Sequence, residues 1–304
     1  MKKEITNLPA SIHQRLLNLS RSQQRTFEDL LINYTNERFL YRLNLSPYAS
    51  QFVLKGAMAI MHMDARFPRA TRDIDFLGYI DNSVPGLEQV IRNICQVEVD
   101  ADGLQFVPDS VRGEVIKENE AYPGVRIIFT CFLGTAKADL QIDIGIADVI
   151  YPAAQIEEFS SLLDLPQPSI QIYQPETILA EKIQTLVKND AFNSRMKDIY
   201  DIWWIASRRE IKGLTLARSL KTTFVNRKTP FPETIIIFDE TYPGQRQITA
   251  WRSMSKKMRY GESLPELSMV LEQLKPFLMP LIEALYNKVD FIHKWNPVDA
   301  WVWK

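Results

Sequence analysis

The sequence predicts an α/β fold: a small mixed sheet with crossing helices, preceded by N-terminal helices and followed by a mainly helical C-terminal region. Three observations carry this expectation. Between Ala138 and Ile146, Leu140, Ile142, Ile144 and Ile146 alternate with Asp139, Gln141 and Asp143, the two-residue period of a half-buried strand. Upstream, Phe52 to Ile60 reads as a glycine turn at Gly56 opening a short helix, followed by a strand through Asp73-Ile74-Asp75-Phe76-Leu77. After a proline-punctuated connection from Pro152 to Pro175, apolar residues recur at helical spacing. The expected divisions are N-terminal helices over 1–50, a core over 51–151 and a mainly helical region over 152–304.

In chain order, Ser11 is placed to cap a first helix carrying Ile12, Leu16 and Leu19. A longer helix spans Gln23 to Arg42, with Phe27, Leu30, Leu31, Tyr34, Phe39 and Leu40 as core positions and Pro47 as its close. A helix follows over Gly56 to Met63, a strand over Asp73 to Ile80 and a helix over Pro85 to Cys95. Extended runs occupy Gly113 to Lys117, Val125 to Leu133 and Ala138 to Ile146, with a turn at Tyr122-Pro123-Gly124. Helices are expected over Glu176 to Val187 and Met196 to Ala206. A capping box at Ser263-Leu264-Pro265-Glu266 opens a pattern that runs to Tyr286 and is broken at Pro276 and Pro280.

Composition narrows the setting. A chain of 304 residues that is 46% hydrophobic and 24% charged has the make-up of an ordinary soluble globular protein. Its net charge of −1 favours no partner overall. The positive charge is concentrated, however: Lys182 to Arg259 holds sixteen Lys or Arg against seven Asp or Glu, a pattern suited to an RNA backbone or to a solvated helical face. Cys95 and Cys131 are too few and too far apart for a disulfide scaffold or zinc site, and His13, His62 and His293 show no ligand spacing. The N-terminus lacks a signal peptide's apolar core and no apolar run spans a bilayer, so the expectation is a cytoplasmic protein with no membrane partner.

The chemistry rests on Asp73 and Asp75. Residues two apart on a strand share a face, so the two carboxylates point the same way. Mg²⁺ prefers one or two carboxylates plus substrate phosphate oxygens, which makes it the expected ion and an NTP the expected substrate. Asp143, on the polar side of its strand, is the candidate third metal ligand, and Asp139 a weaker one. Gly56 permits backbone N–H groups to approach phosphate. Thr71 offers a hydroxyl on the Asp73 and Asp75 face if the strand begins that early, and Arg69 and Arg72 offer charge. Lys182 borders the Ile178, Leu179 and Ile183 stripe and can supply a point charge to phosphate, or simply cover apolar neighbours with its stem. Asp198 and Asp201 share a helix face, and Arg195 with Asp198 reads equally as an ordinary intrahelical ion pair.

Taken together, Leu54-Lys55-Gly56-Ala57, Arg69-x-Thr71-x-Asp73-Ile74-Asp75, Ile142-Asp143-Ile144, Glu181-Lys182 and Arg195-x-Lys197-Asp198-x-x-Asp201 resemble the AbiEii/AbiGii family of nucleotidyltransferase-like toxins, which includes the MenT toxins. The motifs lie in family order between residues 52 and 205. The resemblance implies a DNA polymerase β-like nucleotidyltransferase core, a following helical region, and an active site drawing on both. It implies that Lys55, Gly56, Ala57, Arg69 and Thr71 contact nucleotide, that Asp73 and Asp75 are catalytic, that Lys182 binds the triphosphate, and that Asp198 is a later catalytic or organising acid. It also implies a toxin of a toxin–antitoxin or phage-defence system with a cognate antitoxin, some members adding nucleotides to the tRNA 3′ end. The family turn often reads Gly-Gly followed by Ser or Thr, whereas this chain has Gly56-Ala57-Met58. Two other outcomes stay open: nucleotidylation of a protein or small molecule, and a non-catalytic nucleotide-binding module.

Overall fold

The computed structural model describes residues 7–69, 71–116, 123–146, 148–189, 195–258 and 264–302. Ala70, Lys117, Tyr122, Asn193, Ser194, Arg259 and Ser263, which figured in the sequence reading, lie outside these described residues. The backbone divides into two compact units, Met1–Ala147 with Gln155–Ile172, and Asp148–Ala154 with Tyr173–Lys304.

The first unit is built on a seven-stranded mixed sheet. It begins with helices α1 (Leu8–Ser22) and α2 (Phe27–Leu45). The cap of α1 is Asn7, whose side chain accepts the Ala10 N–H, so Ser11 lies inside the helix. The helix starts earlier than expected because Pro9 fits its first turn, where no N–H is needed. Thr26 caps α2 through the Asp29 N–H, which displaces the expected start at Gln23. Strand β1 (Phe52–Lys55) runs directly into α3 (Gly56–Met63); β2 (Asp73–Gly78) and α4 (Val84–Cys95) follow. Strands β3 (Leu104–Ile116), β4 (Gly124–Leu133) and β5 (Ala136–Ile146) form a meander. The segment expected to be an irregular connection contains β6 (Gln155–Glu158) and β7 (Ser169–Ile172), which pair with each other and extend the sheet. The sheet order is β3-β4-β5-β2-β1-β7-β6.

The sheet has one apolar and one polar face. Ile74, Phe76, Ile127, Phe129, Leu140, Ile142 and Ile144 form part of the buried core. Phe39 of α2 meets Phe129 at a ring separation of 5.3 Å, and each fully buried side chain of this size contributes about 1.5–3 kcal/mol. Helix α2 also buries charge. Arg42 reaches both oxygens of Asp102 at 2.6 and 3.3 Å, and Arg38 donates to the Pro166 carbonyl. Glu37 accepts from Ser161 Oγ and the Leu162 N–H; burial nevertheless raises its carboxyl above the usual range. These bonds fasten the segment before β7 to α2. At the other end of the sheet, His62 of α3 contacts Glu157 of β6 at 2.7 Å and stacks on Phe159.

The second unit is mainly helical. It contains α5 (Pro175–Asn189), α6 (Met196–Ala206), α7 (Gly213–Asn226), α8 (Gln245–Ser255) and α9 (Leu267–Tyr286). A three-stranded sheet of β8 (Ile211–Lys212), β9 (Lys294–Asn296) and β10 (Ala300–Val302) completes it. Helix α9 continues through Pro276 and Pro280, contrary to the expected break. Both prolines are solvent-exposed, four residues apart on one face. The opposite face buries Val270, Leu271, Leu274, Phe277, Leu278, Leu281, Ile282 and Leu285, and that apolar burial outweighs a cost of about 3 kcal/mol per interior proline. No helix among the described residues is long and apolar enough to cross a membrane.

Candidate active site

Strand β1 passes into α3 without a loop, so the chain must turn within one residue. Gly56 makes the turn at φ +67°, in the left-handed region that a side chain disfavours. Ala57 already lies in the helix, so the absence of a second glycine creates no backbone conflict. Met58, at the position where the family often has a hydroxyl, is buried and receives Asn36 Nδ2 at 3.8 Å.

Gly56 is also a site of close approach. A β-carbon there would lie 2.0 Å from Asp75 Oδ2 and 2.7 Å from Asp75 Cγ. The Asp75 carboxylate therefore rests against the first turn of α3, where the helix dipole favours negative charge. Its N-cap residue, Lys55, makes no side-chain capping bond.

Sheet register explains which groups meet on the polar face. Lys55 pairs with Asp75 across β1 and β2, Asp75 with Asp143 across the parallel β2–β5 contact, and Asp143 with Arg126 across β5 and β4. Four strands thus present one rung of alternating and adjoining charge: Lys55, Asp75, Asp143, Arg126. Asp73 stands two residues before Asp75 on the same face, opposite Gln141. The Lys55 side chain crosses β2, bringing Nζ to 3.5 Å from where a β-carbon on Gly145 would stand.

Asp143 faces this side, but both of its oxygens are engaged. Arg126 donates from Nε to Oδ1 and from Nη2 to Oδ2, each at 2.8 Å, and Gln141 Nε2 donates to Oδ1 at 3.2 Å. The paired Asp143 pushes the Arg126 guanidinium up, with smaller contributions from Asp73 and Glu114. Among the described residues, no group of three or more His, Cys, Asp or Glu is gathered as a metal site. Asp73 and Asp75, beside a helix N-terminus, match the one or two carboxylates that Mg²⁺ takes when phosphate completes its shell. Asp139 is exposed and bonds Thr130 Oγ1 and Lys137 Nζ, a surface ladder.

The residues leading into β2 divide differently. Thr71 precedes the strand, which begins at Asp73, and its hydroxyl donates to the Asp73 carbonyl. Arg69 is buried with its guanidinium 5.5 Å above the Phe67 ring. Arg72 pairs outward with Glu28 at 2.9 Å.

In the second unit, Lys182 on α5 lies between two carboxylates of α6, Asp198 at 2.9 Å and Asp201 at 2.7 Å. Arg195, at the N-cap of α6, also reaches Asp198. Burial, the largest single influence, would raise the Asp198 carboxyl; Lys182 and Arg195 together outweigh it and hold the group at about 2. Lys182 is therefore half-buried and paired with two carboxylates. Beside it, Glu181 accepts from the Tyr173 hydroxyl and pairs with Arg227, which grips Asp148 through two bonds of 3.0 and 2.9 Å. Neither Arg126 nor Arg227 was singled out in the sequence. Arg126 stands on the polar side of its strand, and its partner depends on the β4–β5 register.

A sequence model described as "Nucleotidyl transferase AbiEii toxin, Type IV TA system" matches residues 38–273. Among solved structures, the chain is similar to MenT4, the nucleotidyltransferase toxin Rv2826c from Mycobacterium tuberculosis H37Rv. That match has 13% identity and a TM-score of 0.53, covers 93% of this chain and 90% of that one, and shows a shared fold. The structure of JHP933 from Helicobacter pylori matches at 14% identity and a TM-score of 0.42, over 84% of this chain and 92% of that one. No curated protein matches the chain.

Proposed function

We propose, from the premise that this chain belongs to the AbiEii family of nucleotidyltransferase toxins, that it transfers a nucleotide from an NTP to the 3′ end of an RNA, with tRNA as the acceptor. The family is that of a type IV toxin–antitoxin system, which implies an antitoxin; phage defence is the wider role proposed, in the cytoplasm. The observation that carries the reading is the Asp75 carboxylate seated on Gly56 at the start of α3, with Asp73 on the same strand face.

Asp73 and Asp75 would hold Mg²⁺. Bound there, the ion would neutralise triphosphate charge and lower the pKa of the attacking hydroxyl. The start of α3, Lys55 and the residues around it favour anionic phosphate through the helix dipole and an ammonium charge. Arg69 and Thr71 are proposed to position the nucleotide from the segment before β2. Lys182 is proposed to bind the triphosphate, with Asp198 holding its ammonium in place. The RNA hydroxyl gives up its proton to solvent as its oxygen attacks the α-phosphorus, the bond from that phosphorus to the α–β bridging oxygen breaks, and pyrophosphate leaves with the electron pair.

The test incubates the protein with Mg²⁺, total tRNA and each of the four NTPs labelled at the α-phosphate. The expected product is labelled at its 3′ terminal nucleotide and destroyed by ribonuclease. A ribonuclease-resistant, protease-sensitive product would replace the RNA acceptor with a protein. Binding of NTP without any labelled product would support the non-catalytic module.

A further inference from the structure

Three aspartates, Asp73, Asp75 and Asp143, share the polar face. Asp75 and Asp143 are direct neighbours across the β2–β5 pair, and like charges in that arrangement repel. Arg126 forms a bidentate pair with Asp143 and also feels the charge of Asp73. Its planar fork closes on both Asp143 oxygens at 2.8 Å, the bidentate geometry that fixes a carboxylate most firmly. Gln141 takes a further acceptor position of Oδ1. Three of about four lone-pair sites on Asp143 are thus filled by fixed donors. The pair is partly shielded, with 32% exposure for the Arg126 side chain and 20% for Asp143, so solvent only partly weakens it.

We propose that Arg126 is a positioning residue that withholds Asp143 from the divalent cation, leaving a two-carboxylate site of Asp73 and Asp75. This inference rests on the proposed metal role of those two aspartates. A third ionised carboxylate beside them would bind a cation more tightly and leave more negative charge facing the incoming triphosphate. The Arg126–Asp143 pair contributes no net charge. It keeps the ion weakly held until phosphate oxygens complete its shell. The site is thereby biased toward the metal–nucleotide complex rather than the bare ion.

The test titrates Mn²⁺ alone into the full chain and follows free ion by electron paramagnetic resonance, with circular dichroism checking the fold. Loss of binding in Asp73→Asn supports the underlying metal assignment. Binding unaffected by Asp73→Asn would overturn that assignment and this inference together. Arg126→Gln exposes Asp143 and is expected to tighten Mn²⁺ binding by about tenfold, the scale of one added charge at a few ångströms in a partly shielded site. The double variant Arg126→Gln with Asp143→Asn keeps the pair's zero net charge and is expected to return to wild-type affinity. Asp73-dependent binding with unchanged affinity in Arg126→Gln would overturn the withholding role alone. So would a double variant that binds about tenfold or more weaker than wild type, because Asp143 would then be a ligand despite Arg126. The double variant removes both halves of the bidentate pair together, so it decides the matter even if Arg126→Gln fails to fold.

Discussion

A β-carbon at position 56 meets the Asp75 carboxylate at 2.0 Å, and the backbone there stands at φ +67°. Gly56→Ala is therefore expected to cost about 1–2 kcal/mol for the left-handed conformation alone and to push Asp75 out of place. Thermal unfolding should show the stability loss, and the transfer assay a larger loss in kcat than the melting shift accounts for. Asp198 makes a pH prediction. Its folded-state pKa of about 2 lies below the ordinary carboxylate value of 3.8. Its contribution to stability is thus fully present above about pH 4 and is lost as pH falls toward 2, because the unfolded chain takes up the proton first. Denaturant titrations across that window should show a steeper loss for wild type than for Asp198→Asn. Equal slopes would contradict the Lys182 and Arg195 pairing as its cause.

Helices and strands show where the sequence was sufficient. The bounds of α3 and α6 follow from Gly56 and from a clean helical period, and alternation shows β5 from Ala138, two residues after its start at Ala136, because each signal is local. β3 was half-visible: its register shifts between Val107 and Arg112, which interrupts alternation around Pro108. β6 and β7 are four residues each and set among prolines, so only pairing with each other and β1 identifies them as strands. The same limit applied to the site. Asp73 and Asp75 were legible on one face, whereas the Asp143 ion pair required the sheet order. Helix α7 carries a prediction at this scale. No acidic residue occurs from Ile211 to Pro232, and Lys212, Arg218, Lys221 and Lys228 make no ion pair among the described residues. Arg218 and Lys221 lie three apart on the outward side of the helix. Replacing both with Gln should weaken RNA binding and reduce the slope of log K against log salt by about 1.5. An unchanged slope would remove α7 from the RNA surface.

The two compact units carry separate reporters. Cys95 and Cys131 are free and buried in the first; burial pushes the Cys95 thiol up to about 12 and Cys131 higher still. Neither thiol should react with a disulfide reagent in the native protein, and both should react once that unit unfolds. Reaction of either at the rate of a free thiol would contradict the packing of the sheet's apolar face. The tryptophans all lie at position 203 or beyond, so their emission reports the second unit. Fold and family make the chain a nucleotidyltransferase of the AbiEii toxins, and its proposed chemistry converges on two carboxylates. The measurement that tests this most directly compares wild type and Asp73→Asn for label transfer from NTP to tRNA at matched concentration, with melting curves alongside. The account predicts transfer reduced more than about 100-fold at an unchanged melting temperature, beyond the loss expected from an outer partner of a metal ligand. Transfer at the wild-type rate by folded Asp73→Asn would contradict it.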